Sequence, residues 1–135
     1  MNKKTYSYIL KYTGILLVIY SACEMILEIA TVFSQDIAAV TYGSWAGQLF
    51  AFQAGNTAVQ LLFSAVGLLA GYLGIIMSSG QADAKGARYT GLALIVIYLI
   101  EGIMLMGANP SSASWIRIAA LLIVTALYSY AAWKK

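Results

Sequence analysis

The stretch ILKYTGILLVIYSACEMILEIATVF, residues 9–33, decides the fold class. It is longer than the roughly 20 apolar residues a helix needs to cross about 30 Å of hydrocarbon. It lacks the polar–apolar alternation of a membrane barrel strand. Inside hydrocarbon every backbone N–H and C=O must be paired within the segment, so the run is expected to be a helix. Residues 57–77, 89–107 and 115–133 have the same character. The expectation is an all-α integral membrane protein, a four-transmembrane-helix bundle forming a single domain over residues 1–135. An outer loop at 34–56 and an inner loop at 78–88 complete the layout.

Two features of the first stretch imitate a signal peptide, its apolar run and the preceding Lys3 and Lys4. The run exceeds the usual 7–15 residues, however, and carries Glu24 and Glu28, so it reads as a retained span. Composition agrees with a membrane setting. Hydrophobic residues make up 61% of the chain and charged residues 10%, against about 45–50% and about 25% in soluble domains. A soluble domain of this size could not bury so much apolar surface.

The same composition excludes several chemistries. Cys23 is the single cysteine and there is no histidine, which removes an internal disulfide and any Cys or His metal cluster. A net charge of +3, scattered along the chain, does not suggest nucleic-acid binding. No Gly-rich phosphate loop or nucleophile–base pair occurs at a recognisable spacing, so neither catalysis nor a cofactor is expected.

Basic residues orient the spans. Lys3, Lys4 and Lys11 stand at the start of the first, Lys85 and Arg88 between the second and third, and Lys134 and Lys135 after the fourth. Residues 34–56 and 108–114 contain neither Lys nor Arg. The positive-inside rule therefore places both termini and the 78–88 loop in the cytoplasm of a multi-pass cell-membrane protein. Arg117, just inside the outer end of the fourth span, is the exception.

Lys11-Tyr12-Thr13-Gly14 followed by Glu24 resembles Arg88-Tyr89-Thr90-Gly91 followed by Glu101, and Leu17 and Ile26 match Leu94 and Ile103 in the same register. A duplicated helical hairpin with a parallel repeat accounts for this, with Gln60 opposite Arg117 in the partner spans. Coincidence among biased apolar sequences accounts for it too. Small and polar residues fall on one face of each helix at steps of three and four. They are Gly14, Ser21, Glu24 and Glu28 in the first span, and Asn56, Gln60, Ser64, Gly67, Gly71, Gly74 and Ser78 along the second. In the third they are Gly91, Tyr98, Glu101 and Gly102. Such faces hold membrane helices together and are expected to point inward.

Glu24, Glu28, Glu101, Arg117 and Gln60 form the candidate intramembrane polar site, since ionisable residues at that depth normally face a bundle interior or cavity. Helix rise puts Glu24 and Glu101 each about 18 Å from the inner boundary. Glu28 lies one turn further out, within reach of Arg117, so the expected pair is Arg117 with Glu28. Glu24 and Glu101 would then lack a basic partner and hold a proton or share a cation. They would serve either as a proton- or cation-responsive site or as polar glue to Gln60, Ser64 or Tyr98. Cys23 is expected to be a small buried thiol.

In the outer loop Tyr42, Trp45, Leu49 and Phe52 recur at helical spacing, which suggests a short amphipathic helix or a lid and a candidate contact surface. The long outer and short inner loops resemble the layout of tetraspan proteins such as claudins, without the paired cysteines of their outer loop. Small multidrug transporters are similar in having four helices and a first-helix glutamate, but their compact spacing is absent. Neither resemblance carries a residue across. Three roles remain. The leading one is an accessory or structural membrane subunit, packed against other subunits or a second copy through an exposed small-residue face. The second is a proton- or cation-coupled transporter or channel using Glu24 and Glu101. The third is a lipid- or peptide-binding membrane protein using the outer loop.

Overall fold

A long apolar run keeps its helix until a residue offers the backbone a competing hydrogen bond, and serine does so twice near the first turn-round of the chain. Helix α1 (Lys3–Phe33) starts six residues ahead of the apolar stretch. At 31 residues it is about 46 Å long, half as long again as the hydrocarbon core. It stops at Ser34, whose backbone is extended (φ −140°, ψ 117°) and whose hydroxyl accepts the Ile37 N–H at 3.2 Å. That cap opens α2 (Gln35–Gly43), with Asp36 in the first turn at the positive end of the helix dipole. Ser44 repeats the device. Its backbone is again extended, and its hydroxyl accepts the Gly47 N–H at 3.0 Å to open the short α3 (Trp45–Gln48).

The computed structural model describes residues 3–50, 57–79, 84–107 and 112–134. Within them the segment after α1 is two short helices, not one amphipathic helix. The extended Ser44 falls between Tyr42 and Trp45 and breaks the face that their spacing implies. Phe52 and Asn56 lie outside the described residues. The remaining helices are α4 (Thr57–Met77), α5 (Lys85–Met106) and α6 (Ser112–Lys134). Helices α1, α4, α5 and α6 are each long and apolar enough to cross a membrane, and the described residues contain no strand.

These four helices form a closed ring. Helix α1 packs against α4 and α6, and α5 packs against the same two, so α1 and α5 occupy one diagonal. Neighbours run antiparallel. Tyr6 meets Tyr130, Arg88 bonds the carbonyl of Ala132, and the Ala87 N–H points at the sulfur of Met77. The starts of α1 and α5 and the end of α6 thus share one end of the bundle with Lys4, Lys85, Arg88 and Lys134. The α2–α3 segment sits at the far end.

The small-residue faces point inward. Gly14, Ser21, Glu24 and Glu28 are buried on α1, as are Gln60, Ser64, Gly67, Gly71, Gly74 and Ser78 on α4. On α5 Gly91, Tyr98 and Glu101 are buried and Gly102 is half-buried. The tightest approach is between α1 and α4. A Cβ on Gly71 would lie 2.6 Å from the Gly14 carbonyl oxygen and 2.8 Å from the Val18 nitrogen, and one on Gly14 would lie 2.8 Å from the Gly71 oxygen. Backbone touches backbone here, and neither chain can retreat without opening the helix pair.

Gly71→Val is therefore expected to destabilise the bundle by about 1–3 kcal/mol, the usual range for overpacking a filled site. Gly43, around which there is open space, provides the control. Gly43→Ala should leave the denaturation midpoint in mixed detergent micelles unchanged.

Candidate functional site

Three helices contribute charge to one point in the bundle. Arg117 of α6 donates from Nη1 to Glu101 Oε2 at 2.7 Å and from Nη2 to Glu24 Oε2 at 2.9 Å. The fourth helix joins through Ser64, whose hydroxyl donates to Glu24 Oε1 at 3.0 Å. Gln60 is buried one turn along α4 from Ser64. Relative exposure is 5% for Glu24, 1% for Glu101 and 3% for Arg117, so all three are buried. A planar guanidinium suits the task because its two terminal nitrogens can serve carboxylates arriving from different helices.

This geometry corrects the expected pairing of Arg117 with Glu28. Glu101 lies five residues before the end of α5, and Arg117 lies five residues after the start of α6. In an antiparallel pair joined by a short connection, equal distances from the turn put two residues at equal depth. Arg117 is thus level with Glu101, and its fork also reaches Glu24 on α1, the other neighbour of α6. Glu24 and Glu101 do not lack a basic partner; they share one.

Glu28 is left to a different environment. It is 1% exposed, belongs to neither salt bridge of the described residues, and accepts a hydrogen bond from the Tyr42 hydroxyl at 3.4 Å. Burial, with Glu28 close by, pushes the Tyr42 phenol above its ordinary pKa, so it remains a neutral donor. Cys23 is exposed, which corrects its reading as a buried thiol. Successive helical residues are turned by about 100°, so the residue before Glu24 is carried off the buried face.

The residues of the outer segment engage separate parts of the bundle. Tyr42 faces Glu28, Trp45 donates from its indole to Ser112 at 3.0 Å, and Leu49 lies over α1. Tyr20 makes that last contact, donating to the Leu49 carbonyl at 2.5 Å while its ring stacks on Phe50 at 5.4 Å between centroids. The result is a roof over a crevice of about 310 Å³ between α1 and α6. Leu16 and Tyr20 form one wall, Ile116, Ala120 and Val124 the other, Arg117 the floor, and Leu49 and Phe50 the rim. Apart from the Arg117 floor and the Tyr20 hydroxyl, its walls are hydrocarbon. Leu16 and Ile116, at its mouth, are exposed on the bundle surface. A second apolar crevice, bounded by Cys23, Ile26 and Leu27, shares Phe50.

Nothing in the amino-acid pattern announced this crevice. Its residues come from α1, α6 and the two residues after α3, and the only local hint was Tyr20, a polar-tipped ring one turn from Glu24. No protein-family model, no curated protein and no solved structure matches the chain.

Breaking a buried ion pair by deleting one partner costs about 3–5 kcal/mol, because the abandoned charge stays buried. Arg117→Met strands two carboxylates and is expected to lower stability by at least that range in a detergent unfolding titration. Glu24→Gln leaves Arg117 paired with Glu101 and should cost clearly less. Equal effects would mean that the three groups do not act as one cluster.

Proposed function

We propose that the protein is a non-enzymatic lipid binder of the cell membrane, holding one hydrocarbon chain of a membrane lipid in the crevice between α1 and α6. The crevice carries this reading. It is apolar, opens where Leu16 and Ile116 are exposed on the bundle surface, and is roofed by Leu49 and Phe50. At about 310 Å³ it stands at the lower end of the roughly 300–1,000 Å³ typical of ligand sites, enough for a narrow chain.

The other two roles find less support. An accessory subunit docked through small residues would present them outward, whereas Gly14, Gly67, Gly71 and Gly74 are used between the protein's own helices. A transporter working through Glu24 and Glu101 needs both open to water, whereas both are buried on Arg117.

The same proposal places both termini in the cytoplasm. Supporting this, the basic end has the character of a membrane interface: Arg88 stands 5.5 Å from the Trp133 ring and Lys134 5.9 Å from that of Tyr130. We also read the bundle as a duplicated hairpin. Thr13 and Thr90 each bond the carbonyl four residues back, at 2.7 and 2.9 Å. Gly14 abuts Gly71 where Gly91 abuts Tyr128, and Glu24 and Glu101 meet the same guanidinium.

Electron spin resonance of a phospholipid spin-labelled along its chain tests the lipid reading in reconstituted vesicles. The wild type is expected to show an immobilised component that Ala120→Phe, which fills the crevice, removes. Leu92→Phe, on the exposed side of α5, should retain it. Identical spectra for all three proteins would overturn the proposal.

A further inference from the structure

We propose that protonation of Glu28 latches the α2–α3 segment over the crevice and that its ionisation releases it. The inference rests on the lipid-binding reading for its consequence, and on the far end of the bundle for its geometry.

Arg117 is shared between Glu24 and Glu101, so the third buried carboxyl, Glu28, stands outside both ion pairs of the described residues. The titratable groups acting on Glu28 are Glu24 one turn away on α1, Tyr42 on α2 and Arg117 on α6. From α5, Glu101 meets the same guanidinium, and from α4 the uncharged Ser64 bonds Glu24. Asp36, in the first turn of α2, is exposed. A lone carboxylate with another carboxylate one turn away is costly to keep out of water, and a neutral carboxyl is much less so. The Tyr42 hydroxyl donates to the Glu28 carboxyl across 3.4 Å and so ties α2 to α1.

The contacts continue from Glu28 to the crevice. Tyr42 donates to Glu28, and Gln48 Nε2 donates to the Tyr42 carbonyl at 2.8 Å. Gln48 precedes Leu49, whose carbonyl is held by Tyr20, and Phe50 stacks on the Tyr20 ring. Ionised Glu28 gains most from water, and water reaches it only if α2 lifts. Lifting α2 strains the Gln48 contact and withdraws the Leu49–Phe50 rim. The sign follows directly: low pH favours the closed segment, and rising pH opens it.

The test uses the full-length protein in vesicles, with Trp115→Phe and Trp133→Phe leaving Trp45 as the single reporter. Acrylamide quenching is followed from about pH 5 to about pH 9, the range in which buried carboxyls titrate. Trp45 is already half-exposed with the segment in place, so quenching should rise with pH by a measurable fraction in this background, and Glu28→Gln should hold it at the low-pH level throughout. Tyr42→Phe, which removes only the donor hydroxyl, should raise quenching already at low pH and keeps the test decisive if Glu28→Gln fails to fold. A flat profile in the background protein, a Glu28→Gln profile that tracks it, or a silent Tyr42→Phe would each overturn the latch. The readout involves no lipid. A pH-dependent segment without immobilised lipid would therefore sink the chain-binding reading alone, and immobilised lipid with pH-flat quenching would sink the latch alone.

Discussion

Arg117 holds Glu101 at 2.7 Å and Glu24 at 2.9 Å, and Ser64 adds a contact from α4, so one guanidinium draws all four spanning helices to a common depth. Oily surfaces gain little from meeting one another in hydrocarbon, where lipid tails are equally good neighbours. Polar contacts specify which helices meet and in what rotation. A fork with two nitrogens and two carboxylate partners is selective, since sliding or turning any one helix unpairs a charge that has no water to return to.

The rest of the bundle is compatible with that clamp because small residues let the helices close around it. Gly14 against Gly71 brings α1 onto α4 at backbone distance, and Gly91 leaves room for the Tyr128 ring on the opposite side of the ring of helices. Tyr128 in turn donates its hydroxyl to the Ala70 carbonyl, tying α6 to α4 across the core. Close packing at the basic half and ion pairing toward the far half therefore play different parts. The first sets separation, the second sets register.

The proposed lipid site lies at the periphery of the bundle, apart from its paired charges. Glu24, Glu101 and Arg117 satisfy one another, whereas the crevice between α1 and α6 exists because the Leu49–Phe50 rim roofs a gap the helices leave. Glu28 links the two regions. It shares the buried face of α1 with Glu24, yet its bonded partner Tyr42 belongs to the segment that forms the roof.

The amino-acid sequence determined the all-helical architecture, the four long apolar helices and the inward faces, because hydropathy and helical periodicity are properties of one helix at a time. It also held the level match of Glu101 with Arg117 in plain form, as equal distances from one turn, and the exposure of Cys23, as a rotation of about 100° from Glu24. Only the tertiary structure decided that Arg117 serves Glu24 and Glu101 and leaves Glu28 to Tyr42. That choice depends on which helices adjoin and how each is rotated. The crevice is likewise a product of assembly, since its walls come from α1 and α6 and its rim from the residues after α3. No spacing along the chain records a gap between helices.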